Sequence, residues 1–157
     1  MKNPFAQLLH PEKYKEKIEI KKIVAAPKFY RKGVDKYKEK ILAGDSIKPI
    51  VVLKHPHEDL YAVLDGHHRF YAFYELGFQE IEAAVIKTNT KFLFNKTKEG
   101  WLQPTPKMTR YIHIPAIILG KYVNSFVKNP RKILAARPSL PKLKSPFTFL
   151  KKQTKTA

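Results

Sequence analysis

"LYAVLDGHHRFYAFYELG", residues 60–77, sets an apolar run ending in an acid against a glycine, two histidines and an arginine, followed by an aromatic-rich segment closed by Leu76-Gly77. Residues 60–65 read as a buried strand and 67–76 as a helix, with Gly77 as its C-terminal stop. Five polar or special residues, Asp65, Gly66, His67, His68 and Arg69, fall where strand hands over to helix. Such a turn gathers the N–H groups of the first helical turn and the positive end of the helix dipole, which suits an anion. Gly66 permits a sharp turn and close approach of a ligand. Arg69 carries a fork of donors matched to phosphate and reads as ligand charge rather than packing. His67 and His68 donate hydrogen bonds or serve as acid and base near neutral pH. Asp65 can cap the helix, hold a cation such as Mg²⁺, or accept a hydroxyl proton, which makes Asp65 and His68 the candidate catalytic pair. A lone Asp-Gly or His-His would signify only a turn; the convergence of all five on one helix start points to an anion site.

Working outward, "IKPIVVLKH", 47–55, reads as a β-branched strand. "PHED" reads as the turn of a hairpin that pairs it with 60–65. "IEIKKIV", 18–24, begins with alternation and reads as one strand; "IEAAVI", 81–86, reads as another. Residues 34–44 form a helix with Val34, Tyr37, Ile41 and Leu42 on one face and Gly44 at its end. The histidines of "HPHED" match no zinc spacing and fit an exposed turn. Together these elements make an α/β (α+β) domain with a mixed sheet over residues 15–90.

Beyond residue 87 the periodicity weakens, and "KFLFNKTKEGW" has none. Residues 91–128 read as an extension packed on the domain. Within it, 115–128 is an amphipathic helix with Ile117, Ile118, Tyr122 and Phe126 aligned, despite Gly120. A loop at 105–110 brings Thr105, Lys107, Thr109 and Arg110 within six residues, a content suited to wrapping a phosphate. Residues 129–157 are basic, proline-punctuated and partly irregular. Trp101 and the other aromatics suit stacking on bases or, for Phe70, Phe73 and Tyr74, the core.

The charge is the main global signal. The chain of 157 residues carries +18, and it is unevenly spread. Residues 1–99 hold 19 Lys+Arg and all 13 Asp+Glu, a net of +6, whereas 100–157 hold 12 Lys+Arg and no acid, a net of +12. That asymmetry points to a polyanionic partner on the basic half: nucleic acid (DNA or RNA), an anionic membrane surface or an acidic protein. The absence of cysteine excludes disulfides, thiolate metal sites and a cysteine nucleophile. No stretch reaches the ~20 apolar residues of a membrane span, and no signal-type segment opens the chain, so a cytoplasmic location is expected.

Residues 47–86, with their Pro-Ile strand, hairpin, Gly-x-x-Arg turn, helix ending Leu-Gly and following strand, resemble the ParB/sulfiredoxin superfamily. The resemblance implies a small domain of that fold whose Gly66, His67, His68 and Arg69 bind nucleotide phosphates. Sulfiredoxins place a nucleophilic cysteine where His67 stands, which excludes their chemistry here. Partition proteins carry a Gly-Glu-Arg-Arg-like turn for a cytidine nucleotide and a helix-turn-helix domain, neither of which is apparent. The Asp-Gly-His-His-Arg turn and "PKMTR", 106–110, resemble the ParB-like free-serine kinases most closely. On that resemblance Lys107, Thr109 and Arg110 join the phosphate site, the nucleotide is ATP or ADP (CTP for the partition branch), and the activity is a phosphotransferase or phosphohydrolase. The alternative is a ParB-type DNA-binding or nuclease-like protein. Those kinases use a glutamate shortly after the first strand as base, and "VAAPKFYRKG", 24–33, contains no acid. Phosphate binding therefore carries over more fully than serine phosphorylation.

Overall fold

The computed structural model describes residues 9–27, 31, 33–87, 94–98, 102–106, 108 and 115–138. Its centre is a five-stranded mixed sheet: β1 (Lys15–Glu19), β2 (Ile23–Val24), β3 (Ile50–Lys54), β4 (Tyr61–Asp65) and β5 (Glu80–Lys87), in the order β1-β5-β3-β4-β2. β3 and β4 form the expected antiparallel hairpin, with Leu53 opposite Ala62. β5 lies parallel to β3 on its other side. Helices α1 (Val34–Leu42) and α2 (His67–Glu75) cover one face. The opposite face carries α3 (Ala116–Lys128) and the two-stranded hairpin of β6 (Phe94–Lys96) and β7 (Leu102–Pro104).

The near-continuous apolar run of β3 follows from burial on both faces. Ile50 and Val52 point into the core beneath α1 and α2, with Val63, Phe70 and Tyr71. Val51 and Leu53 point the other way, against Leu119, Val123 and Phe126 of α3. Alternation along a strand makes this division automatic once both faces are covered.

Four features depart from the sequence reading. The 18–24 segment is two strands, because a 3₁₀ turn at Ile20–Lys22 breaks it. β1 then pairs antiparallel with β5 at one edge, and β2 pairs parallel with β4 at the other. The unpatterned stretch after residue 87 contains the β6–β7 hairpin, held by Asn124 of α3: its Oδ1 accepts from Leu102 N–H at 2.7 Å and its Nδ2 donates to Leu102 O at 2.8 Å. Val34, Tyr37 and Ile41 of α1 face the core as expected but Leu42 does not, and the apolar face of α3 is rotated from expectation. Leu42 of α1 is 47% exposed, and Ile117 of α3 is 75% exposed while Leu119 and Val123 are buried. Finally, part of the basic tail is ordered: α4 (Pro130–Ala135) follows α3, and Arg137 donates to the carbonyls of Ile20 and Ile23 at 2.9 Å each.

In the "HPHED" turn Pro56, His57 and Asp59 are exposed, Glu58 is half-buried and the first histidine is buried. His55 is buried, and its Nδ1 accepts from the N–H groups of His57 and Glu58 at 3.1 Å each. Nε2 stands 3.0 Å from Val127 O, and since a carbonyl only accepts, Nε2 carries the proton. One imidazole thus ties the β3–β4 turn to the end of α3. Among the described residues no group of three or more His, Asp or Glu side chains is arranged to hold a metal, and no helix is long and apolar enough to cross a membrane.

Candidate functional site

The site is built at the end of β4. Register slips there: Val52 faces Val63 but Val51 faces Asp65, leaving Leu64 as an extra residue. Such a bulge bends the strand and re-aims the residues after it. Gly66 follows with φ 99° and ψ 33°, a left-handed conformation that suits glycine. Space demands glycine as well, because a Cβ there would lie 2.7 Å from both Arg69 Nη2 and Ile50 Cγ2. The ladder of α2 opens with Phe70 N–H donating to Gly66 O at 2.8 Å. The N–H groups of His67, His68 and Arg69 therefore precede the ladder, at the positive end of the helix. No side chain caps this terminus, so Asp65 is not the N-cap.

Asp65 instead engages Arg69. Arg69 is 7% exposed; Nη2 donates to Asp65 Oδ2 at 3.2 Å, and Nη1 donates to the carbonyls of Lys48 and Pro49 at 2.8 and 2.9 Å. Arg69 thus fastens the segment entering β3 beneath the turn. Its charge sits behind the helix start, held by protein groups, so the expected division between ligand charge and packing does not hold. Asp65 remains partly exposed and is the one carboxylate of the turn.

The two histidines part company. His67 is buried, with its ring edge-on to Tyr122 at a centroid distance of 5.7 Å. Desolvation, reinforced by the neighbouring His68, lowers its pKa to about 3. A side chain neutral throughout the physiological range supplies no cation and no acid at pH 7, which corrects the acid–base role considered for it; its backbone N–H is still at the helix start. His68 is only partly buried, and its Nδ1 lies 3.1 Å from where a Cβ on Gly33 would be.

That contact shows what walls the site. Because β2 runs parallel to β4, the chain leaving β2 emerges at the same sheet end as the turn. In open sheets with parallel strands, ligands bind outside the carboxyl ends of such strands. Ala26 O accepts from Tyr71 Oη at 3.1 Å, and Tyr122 Oη donates to Val24 O at 3.3 Å. Arg31, at φ 79°, pairs with both Asp35 and the buried Glu75 of α2, and Lys38 Nζ donates to Glu75 Oε1 at 3.0 Å. In the acid-free stretch 24–33, this chain places a cation tied to α2.

Sequence reasoning missed Arg31, Glu75 and Tyr122. The signal for Glu75 was legible: an acid in the last turn of an apolar helix opposes the dipole and implies a cationic partner. Tyr122 carried no such signal. Of the second segment, Thr105 Oγ1 accepts from Met108 N–H at 3.3 Å, and Met108 is buried against α3. Lys107, Thr109, Arg110 and Trp101 lie outside the described residues.

A profile of the ParB N-terminal domain matches residues 7–95. Among solved structures, the chain is similar to a free serine kinase in complex with AMP, with 24% identity over 50% of this chain and 33% of that one and a TM-score of 0.46. It is also similar to SbnI with C-terminal truncation from Staphylococcus aureus, with 26% identity over 55% of this chain and 35% of that one and a TM-score of 0.45. A third similarity is to C-terminally truncated ParB from Caulobacter crescentus complexed with CTP-gamma-S, with 17% identity over 48% and 45% and a TM-score of 0.40. The aligned part thus spans about a third of the kinase's length. No curated protein matches the chain.

Proposed function

The chain belongs to the ParB N-terminal domain family, and from that premise we propose that its Asp65–Arg69 turn binds the phosphates of a nucleotide. The observation that carries the reading is the left-handed Gly66 between a bulged strand end and α2, which sets the N–H groups of His67, His68 and Arg69 ahead of the helical ladder. Phosphate is held by these backbone donors and the helix dipole. Arg69 supplies the field from behind and holds Lys48 and Pro49 in place; in this reading its contact with phosphate is secondary. On the resemblance to the kinase segment, Lys107, Thr109 and Arg110 supply further phosphate donors in this reading.

The nucleotide is ATP or ADP, with CTP as the cytidine counterpart. The reaction is phosphoryl transfer or hydrolysis in which Asp65 serves as base or as a ligand to Mg²⁺ and His68 moves the proton. His67 takes part through its backbone only, since its ring stays neutral. Titration calorimetry with ATP, ADP and CTP, with and without Mg²⁺, tests the binding, and the amide resonances of residues 67–69 report where it occurs. Saturable binding with shifts at those amides is expected; no binding of any of the three at millimolar concentration sinks the reading. Asp65→Asn separates binding from chemistry, because it should retain the nucleotide and lose turnover.

A second reading rests on the acid-free half: residues 100–157 contact a DNA or RNA backbone. It is compatible with nucleotide at the turn and is tested by duplex and single-strand titrations across salt.

A further inference from the structure

On the side of Tyr122 away from the sheet centre, a groove of about 870 Å³ runs between the Ala26-Pro27 segment and the outer faces of α3 and α4. Its floor is apolar. Ile117, 75% exposed, Ile118, Tyr122 and Ile133 contribute to it. Among the described residues its lining includes three cations, Lys121, Lys128 and Lys132, and no acid. Lys121 and Lys128, seven residues apart, share one face of α3, and Lys132 lines the same groove from α4 across the Asn129 corner.

The combination selects among anionic partners. A phosphodiester backbone meets a cationic surface through polar contacts and gains little from an exposed isoleucine. A bilayer surface meets protruding apolar groups and does not follow a groove between a loop and two helices. The chain's own residues 139–157 carry five lysines and no acid, and a second copy carries +18, so both repel these lysines. An acidic amphipathic segment satisfies both features: apolar side chains at helical spacing enter the groove while carboxylates reach the rim.

We propose that this groove docks an acidic, amphipathic polypeptide segment of a partner protein, with its apolar residues on Ile117, Ile118, Tyr122 and Ile133 and its carboxylates on Lys121, Lys128 and Lys132. The interaction does not depend on nucleotide at the Asp65–Arg69 turn.

The probe is a fluorescein-labelled synthetic helix of about 16 residues, roughly 24 Å long, with Leu on one face and Glu on the other. Anisotropy titrations compare it with a Leu/Lys counterpart, polyglutamate, duplex DNA and phosphatidylglycerol vesicles. Saturable binding of the Leu/Glu helix and none of the Leu/Lys helix is expected. Lys121→Glu combined with Lys132→Glu should weaken binding by about tenfold or more, and Ile117→Ser by about fivefold. Both variants change exposed side chains, and unchanged melting temperatures and nucleotide titrations establish that the fold is intact. Four results overturn the proposal: no binding of the Leu/Glu helix at low salt; polyglutamate binding equally well with no effect of Ile117→Ser; the same variants abolishing DNA or vesicle binding while leaving the helix bound; or a dimer of the wild type that Ile117→Ser dissolves.

Discussion

Gly66 and Arg69 are mutually dependent. The glycine is required because the guanidinium and Ile50 occupy the space a Cβ would take, and the guanidinium is fixed by three acceptors. Gly66→Ala adds a clash to a strained φ and should cost about 2–4 kcal/mol, read as a shift in the urea midpoint, with loss of nucleotide affinity. Arg69→Ala leaves the carbonyls of Lys48 and Pro49 without their donor and should cost about 2–3 kcal/mol, beyond its effect on ligand. Arg69→Lys keeps the charge but cannot reach both carbonyls and the carboxylate, and should recover only part of the stability. An Arg69→Ala protein as stable as wild type would refute the anchoring role. His67 makes a prediction in pH. Its folded pKa is depressed to about 3 from 6.5, so the unfolded chain binds a proton that the native state refuses. The stability it confers is complete above about pH 6.5 and is lost as pH falls toward 3, at up to ~1.4 kcal/mol per pH unit. Chemical denaturation between pH 7 and 5, before most carboxylates titrate, should show this slope in the wild type and a reduced one in His67→Gln.

Two latches tie elements together at opposite ends of the sheet, and only the second lies beside the site. His55 joins the β3–β4 turn to the end of α3 through Nδ1 and Nε2. His55→Ala breaks three hydrogen bonds and opens a void, at a cost of about 2–4 kcal/mol in equilibrium denaturation. The other latch is Glu75, buried at the end of α2 and paired to Arg31 and Lys38. Glu75→Gln removes the charge that holds Arg31 at its left-handed position. Arg31 and Gly33 should then loosen beside α2, seen as faster amide exchange at Gly33, for about 1–3 kcal/mol of stability. Exchange at Gly33 unchanged from wild type would mean that the ion pair positions nothing.

The basic half of the molecule divides between structure and surface. Arg131 pairs with Glu58, and Arg137 is spent on Ile20 and Ile23 while stacking over Tyr74, whose Oη donates to Pro138 O at 2.8 Å. Truncation after residue 128 removes these clamps and should lower the melting temperature by several degrees relative to truncation after 138, since about 1 kcal/mol corresponds to roughly 2–8 °C in domains of this size. Of the nine cations from 128 onward, seven lie outside these two contacts. Engagement of half of them with a nucleic-acid backbone gives a log–log salt slope of roughly −3. A chain of residues 1–157 that binds neither DNA nor RNA at low salt eliminates that partner.

Residues 47–86 were legible because local physics and final environment agree along them. An apolar run buried on both faces is a strand wherever it packs, and a glycine followed by a helical segment opens a helix at that point. The Asp65–Arg69 turn was therefore found as a unit, with its glycine correctly read as conformational. The roles inside the turn were decided by tertiary neighbours. Arg69 became an anchor because the chain entering β3 presents two carbonyls to it, and His67 became neutral because Tyr122, 55 residues later, covers its ring. The break at Ile20–Lys22 was invisible in the pattern because strand propensity does not state a partner: β1 and β2 are separated by three residues yet pair at opposite sheet edges. Ile117 was placed on the buried face by a periodicity that fits more than one rotation of α3. Leu119, Val123 and Phe126 won that face because they meet β3 and β4, and Ile117 was left at the groove. Composition and local order reach the strand, the helix and the turn between them; burial, charge state and partner follow from contacts between residues far apart in the chain.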